Sequence, residues 1–566
     1  MHRIPAAIFS GGKAGACRIS RVFQSRRIDF LVLLFVCFAA FWWRLGALGL
    51  IDPDEPFYAQ TAREMVQTHD WLTPRIYGQP QFEKPIFYYW LVAGSFELFG
   101  ESEWSGRAPT GVFASALVLL VWAFGSRVWN ARSGFLAALV LATGLEFCVM
   151  SRLMLTDVPL AFFLAGALFC YWMAGEKEER RNFWIALSLA CNGLAVLTKG
   201  PIGSLAPWFA TFAFALLAKR KSLYRGPGLW WGLVVYAVIV VPWYSVMFAW
   251  HAKPFWNEFF VRDNFLRLIR AEHPANNHIW YYPGLLLLGS IPWMPAVVLA
   301  VRRAFADFRG DPTLLFQWCW LLTSLVFLTI AQSKLPSYAF YLFVPLAVIV
   351  GRTLDQLLER GFASIGERRM VIGLAIFQCV TVLVLPFVKA AKAFTFPIIL
   401  VAICLVVAAV FLLLKRLNIW LLASATASLA LLAGALTQAL SAVEAESSAK
   451  PLAMALLKER HDDEPLVSGK FLVRGIIYYT HLPVTVWASK AHPFWADHPL
   501  PIIVGQKGMR LFAEQHPSVL CGFRKSDWSS VDEIDAFAGR EAFEQLGENV
   551  VVRAVKPPEK QKSAQR

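Results

Sequence analysis

Charge is scarce in this chain. Of its 566 residues only 16% are Asp, Glu, Lys or Arg, where a soluble protein of this length carries roughly a quarter. That shortfall, beside 57% hydrophobic residues with 23 Trp and 45 Phe, excludes an ordinary soluble enzyme. Nucleotide signatures are missing too. No P-loop and no Rossmann glycine fingerprint occurs, so a nucleotide-sugar site has no support. The nine cysteines show no metal-ligand spacing, and Cys521 stands alone in the polar C-terminal region, so no disulfide forms within that region. The ten histidines include no H-x3-H or H-E-x-x-H pair. His251, His273 and His278 do share one outer loop, so a divalent metal held there with Glu83 stays a candidate.

What the chain has instead is long apolar runs of about twenty residues, the length that crosses the hydrocarbon core as a helix. The fold class is a polytopic α-helical membrane protein. Phe30 to Leu50 is the first run; it is too long for a signal peptide and reads as a retained anchor. Residues 1–29, with Lys13, Arg18, Arg21, Arg26 and Arg27, form a basic cytoplasmic N-terminus. Further Lys and Arg concentrate in short loops, such as Lys177 to Arg181 and Arg302 to Arg303. The net charge of +15 therefore orients the chain and does not point to nucleic acid. The positive-inside rule gives about 13 spans over residues 30–442, with the N-terminus inside and the C-terminus outside. Residues 51–106 form the first outer loop, with an amphipathic helix at 56–68 and an apolar piece, Ile86 to Phe99, along the membrane surface. From 443 to 556 short β-prone pieces (Pro465–Val467, Val484–Trp487, Leu500–Val504, Val519–Phe523, Val550–Val555) alternate with helical stretches such as Lys507–Gln515. That pattern predicts a small α/β domain outside the membrane, and 557–566 reads as a disordered tail.

The chemistry-bearing residues gather on the outer side. Asp52, Asp54 and Glu55 follow the first span; Glu83 and Lys84 lie further along that loop; Asp157, Lys199, Lys334 and Tyr338 sit on later loops. Carboxylates serve as general bases or metal ligands, and Lys and Tyr stabilise a departing phosphate. Each also has a plainer reading. Asp52 beside Pro53 suits a turn, Asp54 and Glu55 suit a helix cap, and Lys84 suits an interfacial lysine reaching for headgroups. Asp157, between two apolar runs, is harder to dismiss. Glu146 and Arg152 read as a structural pair, and Trp230-Trp231 and Trp280-Tyr281-Tyr282 as interface anchors.

Asp54-Glu55 heading an interfacial helix, Phe82-Glu83-Lys84-Pro85, Leu155-Thr156-Asp157, Thr198-Lys199-Gly200-Pro201 and Lys334-Leu335-Pro336-Ser337-Tyr338 come in an order that resembles one superfamily. It is the GT-C integral-membrane glycosyltransferases, in the branch of bacterial aminoarabinose transferases and protein O-mannosyltransferases. The resemblance covers the whole membrane part. It implies a bacterial inner-membrane enzyme that takes sugar from a polyprenyl-phosphate donor to lipid A, another envelope glycan or a protein, amid membrane lipids. It further implies catalytic roles for Asp54, Glu55 and Asp157, and donor-phosphate contacts from Lys84, Lys199 and Tyr338. Tyr58, Glu83 and Lys334 are candidates for substrate binding. The aminoarabinose enzymes resemble Asp-Glu-x-Arg-Tyr, whereas here Phe57 replaces the arginine, and Gln81 stands where those enzymes tend to have tyrosine. A protein O-mannosyltransferase and, from another class, a lipid or solute transporter are the competing readings. No paired broken helices in two related halves are evident in the sequence to favour a transporter.

Overall fold

The structure is a computed structural model that describes residues 26–555 except 220, 308–309, 388–393, 462, 497–498, 532–540 and 547. The basic stretch up to residue 25 and the tail from 556 lie outside the described residues.

Eight helices among the described residues are long and apolar enough to cross a membrane. They include Glu103–Val128, Asp157–Glu176, Pro312–Ile330 and Pro336–Arg360, and the chain folds as an α-helical membrane protein. Other apolar segments are shorter or interrupted: Ala131–Thr143, Ile202–Leu217, and Arg26–Cys37, which passes into a π-turn at Phe38–Trp42. Local chemistry sets the boundaries. Ser102 and Asn130 accept amide hydrogens at the starts of Glu103–Val128 and Ala131–Thr143, satisfying donors that a helix start leaves unpaired. Those two helices cross closely because a Cβ on Gly125 would sit 2.8 Å from the Gly134 backbone. Small residues at such a crossing let backbones approach where no hydrophobic effect drives association.

Residues 51–106 pack as a cap on one end of the bundle. The amphipathic helix spans Asp54–Thr68, two residues earlier than 56. Asp54 and Glu55 occupy its first turn, where carboxylates favour the helix N-terminus. Phe57, Tyr58, Ala62 and Met65 fill a core that also takes Tyr88, Tyr89, Val92 and Phe96 of the helix Phe87–Phe99. That second helix therefore buries one face in protein as well as lying along the cap. The stretch 251–279, read from sequence as a loop, begins as helix: Pro227–Phe255 runs on through a π-helix at Trp256–Leu266 and a turn at Arg267–Ile269.

The C-terminal region holds a six-stranded sheet. In spatial order its strands are Ile502–Val504, Val484–Ala488, Leu466–Gly469, Ser518–Arg524, Asn549–Val555 and Glu541–Leu546. The first four are parallel and the last two add antiparallel. Two apolar clusters, one containing Leu452, Ile476 and Leu520 and the other Val467, Cys521 and Phe523, pack from these strands and helices. Five strands match the β-prone pieces. Glu541–Leu546 was missed because half of it is Glu or Gln and it pairs with one neighbour only. The helix Val473–Thr480, also unforeseen, packs against the cap.

Candidate active site

A cleft with about 930 Å³ of space opens between the cap and the bundle. Its polar end is lined by Glu83, Lys84, Asp157, Lys199, Arg267 and Tyr338, contributed by five separated chain segments. Its other wall is apolar, with Leu160, Ile202, Leu205, Phe327 and Leu328.

Asp157 opens the helix Asp157–Glu176, and Lys199 ends the helix Arg181–Lys199; the two form an ion pair. The chain can turn away directly after Lys199 because Gly200 adopts φ +82°, and a Cβ there would lie 2.7 Å from the Phe259 ring. The Lys199 ammonium sits 4.7 Å above the Tyr338 ring. The Tyr338 hydroxyl accepts a hydrogen bond from Arg267, and Arg267 also pairs with Asp263 at 3.2 Å and Glu272 at 3.4 Å. Lys84 donates to the backbone carbonyl of Glu83 at 2.9 Å, leaving its two remaining hydrogens for other acceptors.

Asp54 stands beside this cluster. The residue as a whole is exposed, and no hydrogen bond or ion pair engages its carboxylate among the described residues. The protein packed around it nevertheless raises its carboxyl above the ordinary range, and Glu83 adds to that; Arg474, Lys84 and Arg267 pull it back. An unpaired carboxylate with raised proton affinity is suited to general-base work.

The other sequence candidates lie outside the cleft. Glu55 is buried and saturated: Arg107 meets it at 2.5 and 2.9 Å, and the amides of Ile51 and Met154 donate to it at 2.7 Å each. Arg107 donates as well to the carbonyls of Leu45, Leu48 and Gly49. With every oxygen occupied, Glu55 joins the cap to the bundle and has no lone pair directed at a substrate. Tyr58 is buried in the apolar core of the cap, edge-on to Tyr88 at 5.3 Å. Lys334 is buried and donates to Asn277 at 2.8 Å and to the Ala331 carbonyl at 2.5 Å. Asp52 lies in the turn that leads into the helix Asp54–Thr68, as its place beside Pro53 suggests, and it also accepts the amides of Ala449 at 2.8 Å and Gly475 at 2.9 Å, which latches it onto the C-terminal region.

Two further readings are corrected. Glu146 and Arg152 do not pair: Arg152 donates to the carbonyls of Ala40 and Trp43. The histidine loop builds no metal centre: His251 bonds Thr73 at 3.1 Å, and no group of three or more His, Cys, Asp or Glu among the described residues is arranged to hold an ion. The residues that sequence reasoning missed are Asp263, Arg267 and Arg474. Asp263 and Arg267 carried a readable signal, opposite charges at i, i+4, which would have been visible had the stretch been recognised as helical. Arg474 carried none.

Residues 83–245 match the family described as dolichyl-phosphate-mannose-protein mannosyltransferase. A protein of Pseudomonas aeruginosa (strain UCBPP-PA14), an undecaprenyl phosphate-alpha-4-amino-4-deoxy-L-arabinose arabinosyl transferase, is 31% identical over 362 residues, 62% of this chain and 65% of the relative. The match thus spans just under two thirds of that relative's length. The crystal structure of ArnT from Cupriavidus metallidurans bound to undecaprenyl phosphate superposes with a TM-score of 0.75 at 22% identity, over 94% of this chain and 98% of that one. The archaeal oligosaccharyltransferase AglB from Archaeoglobus fulgidus shares the fold more distantly, with a TM-score of 0.50 at 13% identity over 91% of this chain and 70% of that one. The fold of this chain is therefore that of the Cupriavidus ArnT, an α-helical integral-membrane architecture of the GT-C type. In sequence the chain is similar to the aminoarabinose transferases over 62% of its length and, over residues 83–245, to the protein mannosyltransferase family.

Proposed function

We propose that this protein transfers a sugar from a polyprenyl phosphate to a hydroxyl of an envelope lipid or glycan, lipid A being the leading acceptor, with inversion at the anomeric carbon. One observation carries the reading. Lys84, Lys199, Arg267 and Tyr338 converge at the polar end of a cleft whose other wall is apolar, with the unpaired Asp54 carboxylate alongside. A phosphate on an isoprenoid tail needs both halves of such a cleft. The acceptor oxygen bonds to the anomeric carbon as the carbon–phosphate-oxygen bond breaks. Asp54 takes the hydroxyl proton, and the polyprenyl phosphate leaves with the charge that Lys84 and Arg267 neutralise and that the Tyr338 hydroxyl stabilises by a hydrogen bond. Asp157 holds Lys199 in place through their ion pair. The sugar–phosphate bond already carries the activation, so the step needs no nucleotide.

The undecaprenyl carrier is proposed from the Pseudomonas relative and from the ligand of the Cupriavidus structure. In this reading the apolar helical segments cross the bacterial inner membrane about 13 times, which places the cap, the cleft and the C-terminal sheet on the periplasmic side and the N-terminus in the cytoplasm. The mannosyltransferase family match over 83–245 favours a second acceptor, a protein hydroxyl. Purified protein given a radiolabelled polyprenyl-phosphate sugar separates the two: label is expected in lipid A, label in protein supports the second acceptor, and label in neither contradicts transfer.

A further inference from the structure

The C-terminal region does not merely sit on the cap; through one side chain it reaches the residues that flank Asp54. Arg474, in the helix Val473–Thr480, donates to the carbonyl of Pro53 at 3.2 Å and lays its guanidinium 4.9 Å from the centre of the Phe57 ring. Those two anchors bracket Asp54, one residue before it and three after it.

The clamp is reciprocal. Asp52 grips the next residue of the same helix by accepting the Gly475 amide at 2.9 Å, and also accepts the Ala449 amide at 2.8 Å. A Cβ on Gly475 would lie 2.5 Å from the Asp52 carboxylate, so this approach requires glycine at 475. The backbone of Leu50 donates to the Tyr479 hydroxyl at 2.7 Å, which fixes the far end of the helix to the same strand of chain. The helix that carries Arg474 is thus held to the cap at Gly475 and again at Tyr479.

We propose that Arg474 is a positioning residue of the active site, supplied by the C-terminal domain to hold Asp54 at the cleft and keep its carboxyl in the form that accepts a proton. This rests on the reading of Asp54 as the base. The charged groups around Asp54 are Glu83 and Lys84 from the cap, Arg267 from the bundle and Arg474 from the C-terminal domain. Lys84 and Arg267 have duties in the cleft, and their charge is offset when a phosphate binds. Arg474 alone of the three cations is anchored on Asp54's own helix, so its charge stays with the base throughout turnover. The Arg at the fourth position of Asp-Glu-x-Arg-Tyr is absent here, and the ring of Phe57 at that position is the surface on which Arg474 rests.

The test is the titration of the Asp54 carboxyl, read by infrared difference spectroscopy on the full chain in nanodiscs, each sample referenced to the same protein carrying Asp54→Asn. Arg474→Gln and Arg474→Met remove the charge, the second while keeping apolar cover over Phe57; Arg474→Lys keeps the charge. In the first two, proton binding at Asp54 is expected to tighten by about tenfold or more, and in Arg474→Lys to stay near wild type. A midpoint unmoved in Arg474→Gln or Arg474→Met, or displaced as far in Arg474→Lys, overturns the proposal. Because the signal does not depend on turnover, a wild-type protein that transfers no sugar would overturn the proposed function and leave this measurement to stand by itself.

Discussion

Asp54 and Glu55 are chemically alike and adjacent, and the fold gives them opposite tasks. Glu55 meets Arg107 and two amides out of contact with solvent, while Asp54 keeps its oxygens free beside the cations of the cleft. Asp54→Asn is expected to lower transfer by about 10²–10⁴-fold while leaving the unfolding temperature and undecaprenyl-phosphate binding close to wild type. Glu55→Gln strands a buried guanidinium, which costs about 3–5 kcal/mol, so its mark is a lower unfolding temperature in detergent; an unchanged one would speak against the structural role. The pH profile follows from Asp54 as well. A base works ionised, and the protein packed around Asp54 raises this carboxyl, so the acidic limb of the rate should fall at a higher pH than for an ordinary carboxylate. The residues themselves were legible in the sequence. Their division of labour was not, because it depends on Arg107 and Met154, 52 and 99 positions away from Glu55.

At the scale of elements, the cleft is made where helices begin and end. Asp157 opens one helix and Lys199 closes the next, and the π-helix Trp256–Leu266 carries Asp263 and, just beyond it, Arg267 to the site. Arg267→Ala is expected to weaken undecaprenyl-phosphate binding, measured by thermophoresis, by about tenfold or more, as loss of a charge-assisted contact of roughly 1.5–3 kcal/mol implies. Substituting Gly475 by Val should drive the Asp52 carboxylate off its amide partners. The expected signs are faster proteolysis between residues 437 and 450 and reduced transfer with donor binding preserved. Helix periodicity announced Asp54–Thr68 to within two residues, since its apolar positions repeat at helical spacing and its first turn is acidic. It could not announce the helix Val473–Thr480. That segment is eight residues long, mixed in composition, and ordered by what it docks against.

Across the whole molecule, composition alone specified a multi-span membrane protein, because apolar runs of that length have few other homes. The candidate site asks more. The cap above it meets the C-terminal sheet domain through polar pairs separated by hundreds of residues, such as Asp52 with Gly475 and Lys450 with Glu103. Single-sequence patterns carry no trace of such pairings, which is why Arg474 went unseen. The placement of cap and C-terminal domain on the periplasmic face is checked by single cysteines introduced at exposed positions 78 and 511 and probed with a membrane-impermeant maleimide in intact spheroplasts. Labelling at both sites is expected, and protection at both until lysis would reverse the topology.

The measurement that bears most directly on the central claim is a cryo-electron microscopy structure of the protein with undecaprenyl phosphate bound. The phosphate is expected within hydrogen-bond reach of Lys84, Arg267 and Tyr338, beside Asp54, with the isoprenoid tail running along Ile202, Leu205 and Phe327. A phosphate bound elsewhere, with this cleft closed to it, would contradict the assignment.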